Sequence, residues 1–346
     1  MERVAYAESV TRRTPLVIGH RGAPGYRPEH TRSSYVLAFD SGVDAVEPDI
    51  VATRDGVLVV RHENEISGTT DVADHPEFAD RRTTKRVDGE ELTGWFAEDF
   101  TWDELSVLRC RERLPALRPR SAAFDGTEPI LRLSDLLELV DAASVAQGRA
   151  IGIVLEVKHA TFSAAQGLDL AALLAAELRA GGWADGGRPL WIESFERTVL
   201  GELRDRGVVA EYVYLLEAEG APADLVARDG GDAAPYADAL TPAGLDDLAA
   251  PDPSSGSRPV EGVSVDKRLL LAPTGPTLVR AAQERGLLVF TWTCRPENAF
   301  LDRRFRGEGP RASFGDYRGE WTAVAGTGID GVFVDHPDLG VEVFRD

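Results

Sequence analysis

The chain has 346 residues, 43% of them hydrophobic, enough to bury a large core and to exclude intrinsic disorder. With 38 basic against 58 acidic residues the net charge is −20. Nucleic acid and anionic membrane surfaces therefore repel the chain, and an anionic ligand needs a local pocket of positive charge. Single cores stop growing at about 250–300 residues, which leaves two domains or one large α/β barrel with insertions. Cys110 and Cys294 are the only cysteines and offer neither a disulfide framework nor CxxC metal spacing. No apolar run reaches the length of a membrane span, so stable membrane insertion is not expected. Residues 1–15 carry Glu2, Arg3, Glu8, Arg12 and Arg13 and no apolar core. They read as an extension and not as a signal peptide. The expected location is cytoplasmic for the chain as written, and secreted or periplasmic if a leader has been trimmed.

Leu16–His20 reads as a strand and 33–41 as a short helix. Strands over 45–53 and 57–62 meet at Asp55-Gly56, a hairpin signal. Residues 133–143 read as a helix, with Ser134 or a neighbour available as cap. The strongest buried strand is 151–158, followed by an Ala/Leu-rich helix over 164–180. Then come a strand over 190–195, a helix over 196–206, strands over 208–216 and Gly262–Asp266, a helix over 274–285, and strands over 287–293 and 331–335. Strands alternating with helices imply a parallel sheet, and about nine candidates come close to the eight of a (β/α)₈ TIM barrel. A doubly wound sheet is the competing architecture, but no G-x-G-x-x-G follows the first strand. Residues 63–128 are polar and read as a large insertion after the early β-hairpin. Residues 217–258, rich in Gly, Ala, Pro and Asp, read as a long loop around one or two short helices. The organisation is thus an extension over 1–15 and one barrel unit over 16–346.

Residues able to carry chemistry collect at strand C-terminal ends, which form the active face of such a barrel. His20-Arg21-Gly22 ends the first strand and pairs a titratable group with a fixed anion-binding fork. Glu47 and Asp49 share one face of an apolar strand, an arrangement that is costly unless a cation neutralises them. With a two-residue turn at Asp55-Gly56, His62 stands opposite Asp49 and shares that face. Glu156 and Lys158 share a face at the end of the most apolar strand. Lysine otherwise occurs only at Lys85 and Lys267 in an arginine-rich chain, so a compact point charge at 158 suits phosphate. Phe195 and Trp292 end later strands and could wall a pocket, although core packing explains either one alone. His30, His75, His159 and His336 remain; His75 reads as solvated, and His159 and His336 as groups behind or around the site. All-oxygen ligands favour Ca²⁺ or Mg²⁺, and a histidine in the ligand set admits Mn²⁺ or Zn²⁺.

In order along the chain, several short motifs resemble those of glycerophosphodiester phosphodiesterases. They are Gly19-His20-Arg21-Gly22, Pro28-Glu29-His30-Thr31, Glu47-Pro48-Asp49, Asp55-Gly56, His62-Glu63, Glu156-Val157-Lys158, Ser194-Phe195, Thr291-Trp292-Thr293 and Asp335-His336-Pro337. The long segment after His62, with Thr70-Asp71-Val72-Ala73 and Asp99-Phe100-Thr101, resembles the insertion of the larger, periplasmic-type bacterial members. The resemblance implies a (β/α)₈ barrel and metal-dependent hydrolysis of glycerophosphodiesters to sn-glycerol 3-phosphate and an alcohol. It implies His20 and His62 as the acid/base pair and Glu47, Asp49 and Glu156 around a Ca²⁺ or Mg²⁺ ion. It further implies Arg21 and Lys158 on the phosphate, with Phe195 and Trp292 lining the glycerol pocket. Three positions depart from the family's usual residues: His30 replaces an asparagine, Glu63 an aspartate, and Cys294-Arg295-Pro296 lacks the usual asparagine. These departures are expected at the rim of the site.

The expected ligand is a small glycerophosphodiester, with a teichoic-acid-type polymer as a further candidate and no nucleic acid. Two other functions fit the same residues. A related barrel lyase would stop at a cyclic phosphate, and a non-catalytic barrel would bind phosphodiesters without turnover.

Overall fold

A computed structural model of the chain describes residues 14–251 and 259–345. The extension expected over 1–15 lies almost wholly outside the described residues. The described residues form twelve strands: β1 (Leu16–His20), β2 (Ala45–Glu47), β3 (Asp49–Ala52), β4 (Leu58–Val60), β5 (Thr83–Val87), β6 (Glu90–Gly94), β7 (Gly152–Val157), β8 (Leu190–Ser194), β9 (Glu211–Leu216), β10 (Gly262–Asp266), β11 (Leu288–Cys294) and β12 (Gly331–Val334). β1 pairs in parallel with both β2 and β12, β2 pairs with β7, and β7 to β12 pair in succession. The sheet closes on itself as an eight-stave parallel barrel with helices outside it. The second stave is broken. Pro48 has no N–H to give the ladder, so β2 ends at Glu47 and β3 restarts at Asp49, while Pro48 O still accepts from Glu156 N at 2.9 Å.

The barrel interior explains why chemistry ends up at one mouth. Ile18, Ala45, Val154, Phe290 and Phe333 pack together inside, with Trp191 partly buried against them. Side chains alternate along a strand. Two residues further along, these same staves present His20, Glu47, Glu156, Trp292, Asp335 and Glu193. The apolar layer fills the barrel and the polar layer caps it. A larger apolar shell between staves and helices, including Leu136, Leu155, Leu174, Ile192 and Trp321, holds the two layers together.

The β3–β4 hairpin differs from the expected register. Ile50 faces Val60 and Ala52 faces Leu58, and Thr53 N donates to Val57 O at 2.9 Å. The connection therefore has three residues, 54–56, with Gly56 in the left-handed region at φ 80°. A three-residue loop ending in such a glycine is a common hairpin alternative to the two-residue turn. Arg61, not His62, stands opposite Asp49, its N–H donating to Asp49 O at 3.0 Å.

Residues 63–128 are polar overall yet fold over their own apolar cluster: Ile66, Val72, Phe78, Trp95, Phe100, Leu105 and Leu108 pack with Val51, Val59 and Ile130. β5 and β6 form a hairpin there, turning at Asp88-Gly89 with both φ values positive. The expected helix over 164–180 is two helices, Ala160–Ala165 and Leu170–Ala180, divided where Gly167 turns at φ 84° and Asp169 caps Ala172 N at 2.8 Å. Ser134 caps nothing. Its N–H donates to Glu177, and Asp135 reaches back to Arg132 N at the start of Leu133–Gln147. The long loop carries three helices, Ala223–Asp229, Tyr236–Ala239 and Pro242–Ala249, because Pro235 and Thr241-Pro242 each start a new one. Its end, 252–258, lies outside the described residues. Cys110 and Cys294 are free thiols. No described helix is long and apolar enough to cross a membrane.

Candidate active site

The turn after β1 sets the first group. Gly22 is held at φ 89°, and a Cβ there would lie 2.7 Å from the carbonyl carbon of Ser34. Only glycine lets the chain pass so close to the helix Arg32–Asp40. Arg21 and His30 both take left-handed backbone, φ 53° and 59°, and His30 N donates to Arg21 O at 3.1 Å. Non-glycine residues in that region are uncommon and cluster at functional sites.

The carboxylates converge as the sequence implies. Glu47, Asp49 and Glu156 are buried and offer oxygens that all lie within 4.8 Å of one another. Asp49 and Glu156 are lateral partners on β3 and β7. Glu47 Oε2 accepts from Arg21 N at 2.8 Å. Asp49 Oδ2 accepts from His30 Nε2 at 2.9 Å, with Arg21 Nε at 3.4 Å. Lys158 Nζ lies 2.7 Å from Glu156 Oε1 and 3.5 Å from Asp49 Oδ1. Glu47 Oε1 and Asp49 Oδ1 are buried yet accept no hydrogen bond. A fourth carboxylate, Glu193, sits beside Glu156 on β8 with Oε2 likewise unpartnered. Four carboxylates thus face two fixed cations, Arg21 and Lys158. Burial, then neighbouring acids, drives the Glu47 and Glu193 pKa values well up. Burial also raises Glu156, against the pull of Lys158. Burial would raise Asp49 as well, but Lys158, His62, His30 and Arg21 outweigh it and hold that carboxyl low. Orphaned buried oxygens and surplus negative charge are what a hard divalent cation relieves, so the donor set fits one.

The two histidines flank this cluster, each backed by an acid. His20 Nδ1 lies 2.6 Å from Asp335 Oδ1. Burial would raise the Asp335 pKa, but Arg295, Arg118 and His20 keep the carboxyl ionised. Asp335 can therefore only accept, and Nδ1 carries the proton. Burial and the Arg21 charge lower His20 to about 4, so its Nε2 lone pair is free near neutral pH. His62 Nδ1 bonds the Glu63 carboxylate, and Lys158 Nζ approaches His62 Nε2 at 3.1 Å. An ammonium only donates, so Nε2 accepts and His62 has the same tautomer as His20. Burial, Arg21 and Lys158 all press its pKa down. His62 reaches the cluster although it does not face Asp49 across the hairpin, because the chain past β4 brings it to Lys158.

Phe195 and Trp292 pack edge to face, centroids 5.8 Å apart, and Lys158 Nζ stands 5.6 Å from the Phe195 ring. A cavity of about 560 Å³ opens between His62, Glu156, Lys158, Phe195, Glu217 and Tyr236.

The three family departures do not lie at the rim. His30 is fully buried against Asp49, Glu63 orients His62, and Arg295 Nε donates to Asp335 at 2.6 Å behind His20. His75 is half-buried against Phe78 and pairs with Glu77, so it is not simply solvated. His159 Nδ1 contacts Asp88 Oδ2 at 2.6 Å, tying the insertion hairpin to the barrel mouth. His336 packs against Tyr26 and Phe314.

Several residues of the site carried no assigned role in the sequence reading: Glu29, Arg113, Arg118, Glu193, Arg295 and Asp335. The strand alternation could have found Glu193 and Asp335, each two residues beyond an interior aromatic. Arg113 and Arg118 lie in an irregular loop, where no periodicity points at them.

Fixed cations beside surplus carboxylates, with proton-exchanging imidazoles on either side, suit hydrolysis of a phosphodiester. Comparison with known proteins leads to the same class. Residues 20–339 match the Glycerophosphoryl diester phosphodiesterase family. The chain is 31% identical over 338 residues to glycerophosphodiester phosphodiesterase GDPD6 of Arabidopsis thaliana, covering 93% of this chain and 83% of the plant protein. A crystal structure of a glycerophosphoryl diester phosphodiesterase from Silicibacter pomeroyi, 25% identical, superposes with TM-score 0.66 over 96% of this chain and 94% of that one. The Oleispira antarctica phosphodiesterase, solved with the product sn-glycerol-3-phosphate, shares the fold at 19% identity and TM-score 0.62, covering 96% and 98% of the two chains. The chain belongs to the glycerophosphodiester phosphodiesterase family and is an enzyme that hydrolyses glycerophosphodiesters.

Proposed function

We propose that hydrolysis proceeds by proton exchange between His20 and His62 across a phosphate anchored by Arg21 and Lys158, with Glu47, Asp49 and Glu156 holding one divalent cation, Ca²⁺ or Mg²⁺. Bound there, such an ion would neutralise the buried carboxylates and offset charge developing on the phosphoryl oxygens. Arg21, fixed by Glu29 at 3.1 Å, presents a planar fork to the phosphate. Lys158 adds a point charge beside it. One imidazole takes the proton of the nucleophile, water or the neighbouring glycerol hydroxyl, at Nε2. Its counterpart, protonated at Nε2 with Nδ1 still held by its acid, delivers a proton to the leaving alcohol oxygen. With water as nucleophile, the P–O bond to the alcohol breaks and the products are sn-glycerol 3-phosphate and the alcohol. With the glycerol hydroxyl, the same bond breaks to leave a cyclic phosphate, and water then opens the ring to sn-glycerol 3-phosphate. Phe195 and Trp292 wall the glycerol, and the cavity toward Glu217 and Tyr236 leaves room for the head group.

The observation that carries this reading is the matched pair of acid-backed histidines, Nδ1 of each committed to a carboxylate, beside three clustered buried acids, two of which, Glu47 and Asp49, keep an unpartnered oxygen. The product named for the Oleispira protein supports the same chemistry. His62→Ala, assayed on glycerophosphocholine with saturating divalent ion, should lower kcat by about 10²–10⁴. A loss under about tenfold would remove His62 from the acid/base pair. Phosphorus NMR of the same reaction should show sn-glycerol 3-phosphate accumulating. A cyclic phosphate as end product would make the enzyme a lyase.

A further inference from the structure

The geometry points to the loop 111–118 of the insertion as a clasp that orients both histidines and Arg21 at once, with Arg113 and Arg118 as its positioning residues. The inference rests on the acid/base reading of His20 and His62.

Arg113 bridges two carboxylates. Its Nε and Nη2 contact Glu29 at 2.8 and 2.6 Å, and its Nη1 and Nη2 contact Glu63 at 2.8 and 2.5 Å. Glu29 is the acid that fixes Arg21, and Glu63 is the acid on His62 Nδ1. Five residues on, Arg118 does the same behind His20. Its Nε contacts Glu297 at 2.8 Å and its Nη2 contacts Asp335 at 2.6 Å, and Asp335 is the acid on His20 Nδ1. Two guanidinium forks from one loop therefore hold the three carboxylates that hold the three working cations and imidazoles.

The loop can act as a fixed part. Arg111 N donates to Thr69 O at 2.9 Å, Glu112 N to Asp125 Oδ1 at 2.7 Å, Leu114 N to Glu112 Oε1 at 2.8 Å and Arg118 N to Leu114 O at 2.9 Å. Glutamate has three rotatable side-chain bonds, so Glu63 without Arg113 can swing away from His62. A bidentate arginine removes that freedom with fixed geometry, which a lysine reproduces only in part. The insertion is thus built into the geometry of the site, its Arg113 reaching the Glu63 carboxylate that holds His62.

The test uses the full chain, glycerophosphocholine as substrate and saturating divalent ion. Arg113→Met should lower kcat by about 10–100-fold, the cost of a misplaced catalytic group. KM should stay within about twofold, because Arg113 itself touches no substrate and Arg21 keeps Glu29 and Asp49 as partners. Arg113→Lys should recover part of the loss. In a Glu63→Gln background, Arg113→Met should cost clearly less than it does alone, because the part that runs through His62 is already lost and only the part through Glu29 and Arg21 remains. Arg118→Lys should add little in an Asp335→Asn background. A kcat within about twofold of the parent for Arg113→Met, a KM rise at unchanged kcat, or losses that multiply in the double variant would overturn the clasp. Should Arg113→Met lose its cooperative melting transition, the Arg113→Lys and Glu63→Gln pair reads the same coupling. His20→Ala and His62→Ala run alongside. Active histidine variants would defeat the acid/base reading itself, and inactive ones beside fully active arginine variants would defeat only the clasp.

Discussion

Asp335→Asn isolates the role of the acid behind His20 without changing shape. Asp335 is 1% exposed, with Oδ1 2.6 Å from His20 Nδ1 and Oδ2 2.6 Å from both Arg118 Nη2 and Arg295 Nε. Guanidinium groups only donate, so the amide oxygen of asparagine must take the place of Oδ2. The amide NH₂ then faces His20 Nδ1 and donates to it. His20 is forced to carry its proton on Nε2, which removes the lone pair a base needs there and, with no carboxylate left on Nδ1, the support an imidazolium acid needs. The loss expected from a wrong tautomer is about 10²–10⁴ in kcat, or about 2.7–5.5 kcal/mol of transition-state stabilisation. Arg118 keeps Glu297 at 2.8 Å, so the cost in stability should stay near the about 1.5–3 kcal/mol of a charge-assisted hydrogen bond. Steady-state kinetics on glycerophosphocholine reads the first effect, and urea unfolding reads the second. Calcium affinity by calorimetry is the control, because Asp335 is not among the clustered carboxylates, and it should not change. A kcat within about tenfold of the parent would refute the assignment of tautomer and role.

Two other substitutions divide the site by function. Glu156→Gln removes one acid of the trio and should weaken Ca²⁺ or Mg²⁺ binding by at least about tenfold in a calorimetric titration; an unchanged isotherm would take Glu156 out of the ligand set. Phe195→Ala strips one wall of the substrate pocket and should raise KM by about tenfold with a smaller change in kcat, in line with about 1–3 kcal/mol of lost apolar contact. A fall in kcat at constant KM would place that ring in the chemistry and not in binding.

The barrel was legible because its grammar is periodic. β1 and β10 appear at the boundaries the sequence suggests, and His20, Glu47, Glu156 and Lys158 lie at or just past strand ends as expected, whereas His62 does not face Asp49 across the hairpin. What was misread depends on single residues that alter local geometry. Pro48 splits one expected strand, Gly56 adds a residue to a turn and shifts a register, and Gly167 with Asp169 cuts one helix into two. Composition also misled. The segment 63–128 is polar on average, yet its few large apolar residues converge on one small core. The second layer of the site was the least legible, because Arg113 and Arg118 are placed by tertiary packing of an irregular loop. Only their partners, Glu29, Glu63 and Asp335, fall in recognisable motifs.

The central claim is that acids distant in the sequence share one cation at the C-terminal mouth of the barrel. A crystal soaked in Mn²⁺, a stand-in visible by its anomalous scattering, addresses that claim directly. The expected result is a single strong peak bounded by Glu47, Asp49 and Glu156, with the otherwise unpartnered Glu47 Oε1 and Asp49 Oδ1 turned toward it. Density showing no ion there, or an ion bound elsewhere while these side chains keep only Arg21 and Lys158 as cationic neighbours, would contradict it.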